Sequence, residues 1–207
     1  MFKEIKERCD ILIQNFHEIS SERKALLEKL SQYIYQKKAS NSPIQLNYIC
    51  THNSRRSHLG QVWAAVAANY YGIENVSTFS GGTQATAFNP NAIQALITAG
   101  FKIEKNNETE NPIYHVFYDE NNFSICFSKT FDDKANPNQN FAAVMTCSDA
   151  DENCPFIVGC DIRIGSTYND PKAYDNSIIQ NDKYTERSHQ IAMECLYVFS
   201  KINQYVK

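Results

Sequence analysis

The stretch "YICTHNSRRS", residues 48–57, ends an apolar run on Cys50 and sets an arginine, Arg56, six positions later. Upstream, "IQLNYI" (44–49) is strand-like. Downstream, "SHLGQVWAAVAANYYG" (57–72) has helical spacing, with Val62, Trp63, Val66 and Tyr70 on one face and Gly72 as a stop. "NVSTFS" (75–80) is strand-like again, so the chain around Cys50 reads as strand, short loop, helix, strand: a β-α-β unit.

Working outward, "NPNAIQALITAG" (89–100) predicts a second helix, with Asn89 as cap, Pro90 in the first turn and Gly100 at the end. "IYHVFYDENNFSICFS" (113–128) resembles a hairpin, "KTFDDKANPNQN" (129–140) a loop, and "FAAVMT" (141–146) a strand. Residues from about 178 to 205 are expected to contain a long helix burying Ile191, Cys195, Leu196, Val198, Phe199 and Ile202. At the other end, residues 2–38 read as two helices. The first carries Phe2, Ile5, Ile11, Leu12 and Phe16; the second starts near Ser20 or Ser21 and repeats Leu26, Leu27, Leu30 and Ile34, before a linker at "KKASNSP" (37–43). Strands alternating with helices argue for an α/β fold with a parallel sheet covered on both faces.

Length and composition set the outer limits. The 207 residues suit one domain, or one domain plus an extension. Apolar residues at 43% and charged residues at 21% are ordinary for a globular protein. A net charge of -3 and a pI near 6.0 give no basic patch for nucleic acid, so a small or acidic-neutral partner is expected rather than DNA. The N-terminal residues mix charges among apolar ones, unlike a signal peptide, and no segment approaches a membrane span. These features predict a cytoplasmic protein. Its seven cysteines, at 9, 50, 126, 147, 154, 160 and 195, are then thiols unless chemistry intervenes.

A thiol at a strand end, facing the N-terminus of the next helix, lies where unpaired N–H groups favour negative charge. Such surroundings bring a cysteine pKa from about 8.5 into the range of roughly 3.5 to 7.5. Arg56 supplies a planar fork for two oxygens of a tetrahedral oxyanion, Ser57 a hydroxyl for the thiolate, and Asn53 a residue tolerant of left-handed backbone. The bland alternative is a buried strand-end thiol and a surface arginine. A second thiol, Cys147, also ends a strand, and a parallel sheet would place it near Cys50.

"CTHNSRRS" (50–57), "FSGGTQATAFNPNAIQALITAGF" (79–101) and "VMTCSDADENCP" (144–155) together resemble the low-molecular-weight protein tyrosine phosphatase superfamily, whose phosphate loop is C-x5-R-S, and within it the thioredoxin-coupled arsenate reductases. The resemblance covers residues 46–103 and 141–205. It implies a three-layer fold with a central, mainly parallel four-stranded sheet over residues 44–207. To this the chain adds an N-terminal helical extension, 1–43, and an inserted hairpin at about 104–140.

The resemblance also implies roles. Cys50 is the nucleophile, and Thr51, His52, Asn53, Ser54, Arg55 and Ser57 form the oxyanion loop with Arg56 as clamp. Asp170, before Pro171, is the general acid, with Asp175 as fallback. Cys147 and Cys154 form a disulfide relay re-reduced by thioredoxin, with no cofactor and no metal. His52 stands where the reductases commonly have glycine, and Arg55 where many have a further cysteine. Seven residues of helix span about 10.5 Å, whereas a disulfide needs Cα atoms within about 7 Å, so a helical 147–154 segment must unwind to close Cys147–Cys154.

Other readings stay open. A zinc site including Cys160 meets an unusual C-x6-C-x5-C spacing. His58 either touches substrate or lies on an exposed helix face, and Tyr168 and Tyr174 either shape the pocket or pack. His115, His189, Cys9, Cys126 and Cys195 sit in apolar patterns that fit a core. For the whole protein the expected activity is reduction of arsenate. The alternatives are a redox-regulated phosphatase working through a cysteinyl phosphate, and an oxyanion or redox sensor without turnover.

Overall fold

In the computed structural model, which describes residues 1–153, 156–202 and 204, the strand before the cysteine is β1, Ile44–Cys50. It is buried almost throughout, as a central parallel strand must be. The main sheet has the order β2-β1-β6-β7, with β2 at Val76–Gly82, β6 at Phe141–Met145 and β7 at Cys160–Gly165. All three pairings are parallel. From β1 the chain crosses to β2 on one side and later returns to β6 on the other. The topological switch point therefore lies between β1 and β6, where open α/β sheets bind ligands beyond their strand ends.

The predicted helices form. Helix α3 (Arg56–Tyr70) covers the sheet so closely that a Cβ on Gly60 would enter the Tyr48 ring. Its face is broader than predicted: eleven of its fifteen residues are buried, and Trp63 donates Nε1–H to Ser188 Oγ at 2.9 Å. Helix α4 (Pro90–Thr98) is capped by Asn89, whose side chain accepts from the amides of Asn91 and Ala92. The last long helix, α6, runs Gln180–Ser200, within the stretch expected to contain it.

At the N-terminus, α1 (Lys3–Gln14) buries Ile5, Cys9 and Leu12, while Ile11, expected inside, is 55% exposed. Helix α2 (Ser21–Ala39) is capped by Ser20 and extends three residues, Lys37, Lys38 and Ala39, into the predicted linker. Both helices pack into the same apolar core as the main sheet, against α6.

Two parts of the topology differ from the sequence reading or were not located by it. The predicted hairpin forms as β4 (Tyr114–Phe117) and β5 (Phe123–Cys126), and a further strand, β3 (Lys102–Lys105), joins it to make a separate antiparallel sheet, β3-β4-β5. Strand β3 escapes notice because its sequence, KIEK, is mostly charged and exposed. Strand β7, CDIRIG, is an edge strand in which Cys160, Ile162 and Ile164 alternate with Asp161 and Arg163, a period-2 signal that the sequence reading passed over. Among the described residues no helix is long and apolar enough to cross a membrane.

Candidate active site

The loop after β1 is turned inside out relative to an ordinary turn. The carbonyl of Cys50 accepts from Thr83 N–H, that of Thr51 from Gln84 N–H, and that of His52 from the hydroxyls of Thr86 and Ser128. The Ser54 carbonyl accepts from Asn89 N–H and the Arg55 carbonyl from Leu59 N–H. In a trans peptide the C=O and the following N–H point in opposite directions, and the described chain has no cis bonds. The amides that follow these carbonyls therefore face away from the surrounding protein, into the loop. Asn53 takes φ +43° to make the bend, and α3 starts without a side-chain cap, leaving its first N–H groups open.

Gly82 permits this packing: a Cβ there would lie 2.5 Å from the Gln84 carbonyl and 2.7 Å from both Asn53 N and the Thr51 carbonyl. No loop pattern in the sequence announces that contact.

Cys50 is buried, its Sγ 3.1 Å from Ser57 Oγ. Asn53 Nδ2 donates to the same hydroxyl at 2.8 Å, so the Ser57 proton is free for the sulfur. Asn53 Oδ1 in turn accepts from Lys129 N–H at 2.9 Å. Ser54 donates to the Ala87 carbonyl at 2.7 Å.

Arg56 reaches Asp170. Its Nη2 donates to Asp170 Oδ2 at 2.7 Å and its Nη1 to the Tyr168 carbonyl at 2.7 Å, while Nε is buried without a partner. Asp170 has the extended backbone expected before proline (φ -76°, ψ 122°) and caps a short 3-10 turn, Pro171–Tyr174. Asp175 closes that turn. It accepts from Tyr184 Oη at 2.7 Å and pairs with Arg55 Nη2 at 3.4 Å, and Arg55 Nε donates to Tyr184 at 2.8 Å. The two adjacent loop arginines thus hold opposite ends of one turn.

Cys147 follows β6, and Ile49 pairs with Met145, so the two thiols stand on neighbouring strand ends within one buried apolar cluster. Thr51 links them: its hydroxyl lies 3.4 Å from Cys147 Sγ and donates to Asp149 Oδ2 at 2.6 Å. Residues Ser148–Asn153 form α5, a helix of six residues. The predicted relay partner Cys154 lies outside the described residues. Cys160 is a half-buried thiol at the start of β7.

Several sequence readings need correction or extension. His58 is neither exposed nor at the loop mouth; it is fully buried and stacked on Phe88 at 4.1 Å, and burial with nearby Lys129 pushes its pKa down to about 3. Tyr168 is a packing residue whose carbonyl, not its ring, serves Arg56. Its hydroxyl donates to Glu194 at 2.8 Å, and burial raises its pKa. Tyr174 is 39% exposed beside Lys183. Cys9, Cys126 and Cys195 are core thiols, burial raising each to about 12. His115 is half-buried against Phe123 on the inserted sheet, and His189 is half-buried, its pKa lowered by burial.

Sequence reasoning missed Glu194 and Arg23. Arg23 of α2 donates to Glu194 at 2.8 Å, tying the N-terminal helices to the Tyr168 segment whose carbonyl holds Arg56. A glutamate inside the apolar stripe of α6 was the available signal, because a buried carboxylate demands a cation.

Among solved structures, a low-molecular-weight phosphotyrosine phosphatase from Vibrio cholerae O395 superposes with a TM-score of 0.53 at 13% identity, covering 79% of this chain and 99% of the other. The fold is that of the low-molecular-weight phosphatases. YfkJ from Bacillus subtilis matches this phosphatase fold with a TM-score of 0.50 at 12% identity, over 80% of this chain and 98% of the other. In sequence, the chain is 33% identical over 110 residues to arsenate reductase 2 of Staphylococcus haemolyticus and 32% to arsenate reductase 2 of Staphylococcus epidermidis. Each alignment takes in 53% of this chain and spans 65% of the relative's length. No family model matches the chain.

Proposed function

We propose that this protein reduces arsenate to arsenite in the cytoplasm, using Cys50 as nucleophile and drawing electrons from Cys147 and Cys154. The observation that carries the reading is the second thiol: Cys147 shares a buried cluster with Cys50 and is bridged to the oxyanion loop by Thr51. A phosphatase needs no such neighbour.

The Cys50 thiolate attacks arsenic while the loop amides and Arg56 hold the oxyanion, and Asp170 protonates the departing oxygen as water. Arg56 must exchange its bond to Asp170 for the substrate, which frees the carboxyl for that transfer. Cys147 then attacks the Cys50 sulfur. The S–As electron pair moves to arsenic, arsenite leaves, and a Cys50–Cys147 disulfide forms. Cys154 attacks Cys147, releasing Cys50 as thiolate, and a dithiol reductant of the thioredoxin type reduces Cys147–Cys154. Phe156 and Val158, two and four residues after Cys154, are 77% and 72% exposed and offer such a protein an apolar landing surface. Residues 44–207 carry this chemistry, and 1–43 brace it through Arg23.

The second reading is phosphomonoester hydrolysis, favoured by Asp170 already sitting at Arg56, since a cysteinyl phosphate needs only nucleophile, clamp and acid. The deciding experiment is arsenate-dependent NADPH oxidation with thioredoxin and thioredoxin reductase, for wild type and a Cys147→Ser, Cys154→Ser double variant. Turnover confined to wild type supports the relay. Aryl phosphate hydrolysis equal in both proteins, without arsenate turnover, replaces it with the phosphatase.

A further inference from the structure

Behind the loop, a groove of about 440 Å³ opens between β2 and the inserted sheet, and no residue of 50–57 lines it. Strand β2 is an edge of the main sheet and β5 an edge of the inserted one. Phe79, Tyr118, Phe123 and Phe127 give the groove aromatic walls, and Ala65 of α3 contributes to its lining.

One cation lines this space. Lys129 is 4% exposed, its Nζ lying 4.4 Å over the Phe127 ring and making a long bond of 3.4 Å to the Phe127 carbonyl. Asp133 is felt only electrostatically, and among the described residues no carboxylate forms an ion pair with Lys129. A buried ammonium without a counter-charge is costly. It gains most from an anion arriving through the groove.

We propose that this groove binds a small amphipathic monocarboxylate, with Lys129 holding the carboxylate and the aromatic walls covering the apolar body. One ammonium balances one negative charge. A phosphate dianion would bring a second charge with no second cation to meet it, and the aromatic walls favour a ligand with an apolar body. The volume falls within the usual range for small-molecule sites. A ligand seated there pulls on the backbone that positions the nucleophile: Lys129 N–H holds Asn53 Oδ1, its carbonyl accepts from Gly82 N–H, and Asn53 holds Ser57.

The test is calorimetric titration of the full chain with 4-phenylbutyrate. Wild type should bind saturably, Lys129→Met should weaken binding about tenfold or more, and Lys129→Arg should retain it. Ala65→Trp should abolish binding by filling the groove without touching the charge. Arg56→Ala should bind as wild type does, because the site is separate from the oxyanion loop. Thermal transitions identify any variant that fails to fold, and the wild-type and Arg56→Ala arms decide the matter even then. The proposal is overturned by no saturable binding in wild type up to about 10 mM, by undiminished binding in a folded Lys129→Met, or by loss of binding in Arg56→Ala.

Discussion

At the end of β1, the carbonyls of Cys50, Thr51, His52, Ser54 and Arg55 are each bonded to a partner, and Gly82 is pressed against the backbone from behind. At the end of β6, Cys147 runs into a six-residue helix whose residues 148, 149, 152 and 153 are exposed and whose side-chain links are Thr51 to Asp149 and Arg163 of β7 to Asp151. The two thiol-bearing strand ends are neighbours in one sheet but differ in how much holds them. A nucleophile that must meet an oxyanion in fixed geometry benefits from pre-organisation. A relay cysteine that must reach two sulfurs in turn needs a segment that opens at low cost.

The largest effect is expected at Cys50. Cys50→Ser should lower both arsenate turnover and aryl phosphate hydrolysis by at least ~10⁴-fold. Cys147→Ser, by contrast, should leave single-turnover attack on the oxyanion intact while stopping steady-state reduction. Rapid-quench measurement of the first turnover separates the two; a Cys147→Ser protein that cycles normally sinks the relay.

Next comes the rigidity of the loop. Asn53→Ala removes a residue suited to φ +43° together with its bonds to Ser57 and Lys129. It should cost about 2 to 3 kcal/mol in urea unfolding and about 10²-fold in kcat. Asp149→Asn, at the looser strand end, should change stability by under about 1 kcal/mol. Equal losses at the two positions would erase the proposed difference between them.

That contrast also explains what the sequence could and could not convey. Cys50, Arg56 and Ser57 are legible because a strand, a short loop and a helix start have local signatures, and Asn89 and Gly72 mark helix ends for local reasons. Gly82, Lys129 and Glu194 serve the site through contacts distant in the chain, which no short window records. His58 was misplaced for the same reason. Helical spacing assigned it to an open face, but Phe88, thirty residues on, stacks over it and Phe127 and Lys129 lie beside it.

His58 lets the buried side be probed by pH. Its folded pKa, pushed down to about 3 by burial, lies below the unfolded value near 6.5. Below pH 6.5 the unfolded chain therefore takes up a proton that the folded protein refuses, and stability falls with pH across that window. Between pH 7.5 and 5.0 this group alone should remove about 2 kcal/mol. His58→Leu should flatten that part of the denaturation profile, and an unchanged slope in the variant would show that another group is responsible.

The smallest effect sits on the hinge between the two thiols. Thr51 touches Cys147 with its hydroxyl and donates to Asp149, yet its backbone belongs to the firm loop. Thr51→Val keeps the side-chain shape and removes only those hydrogen bonds, so the first chemical step should stay within about twofold. Release of the link should instead loosen the start of α5 and alter transfer from Cys50 to Cys147 by a few-fold, the size expected for one modest hydrogen bond. Single-turnover and steady-state rates measured on the same protein isolate that step. If the first step slows as much as the second, the hydroxyl is supporting the loop rather than the relay, and the division between a fixed nucleophile and a movable partner fails where the two meet.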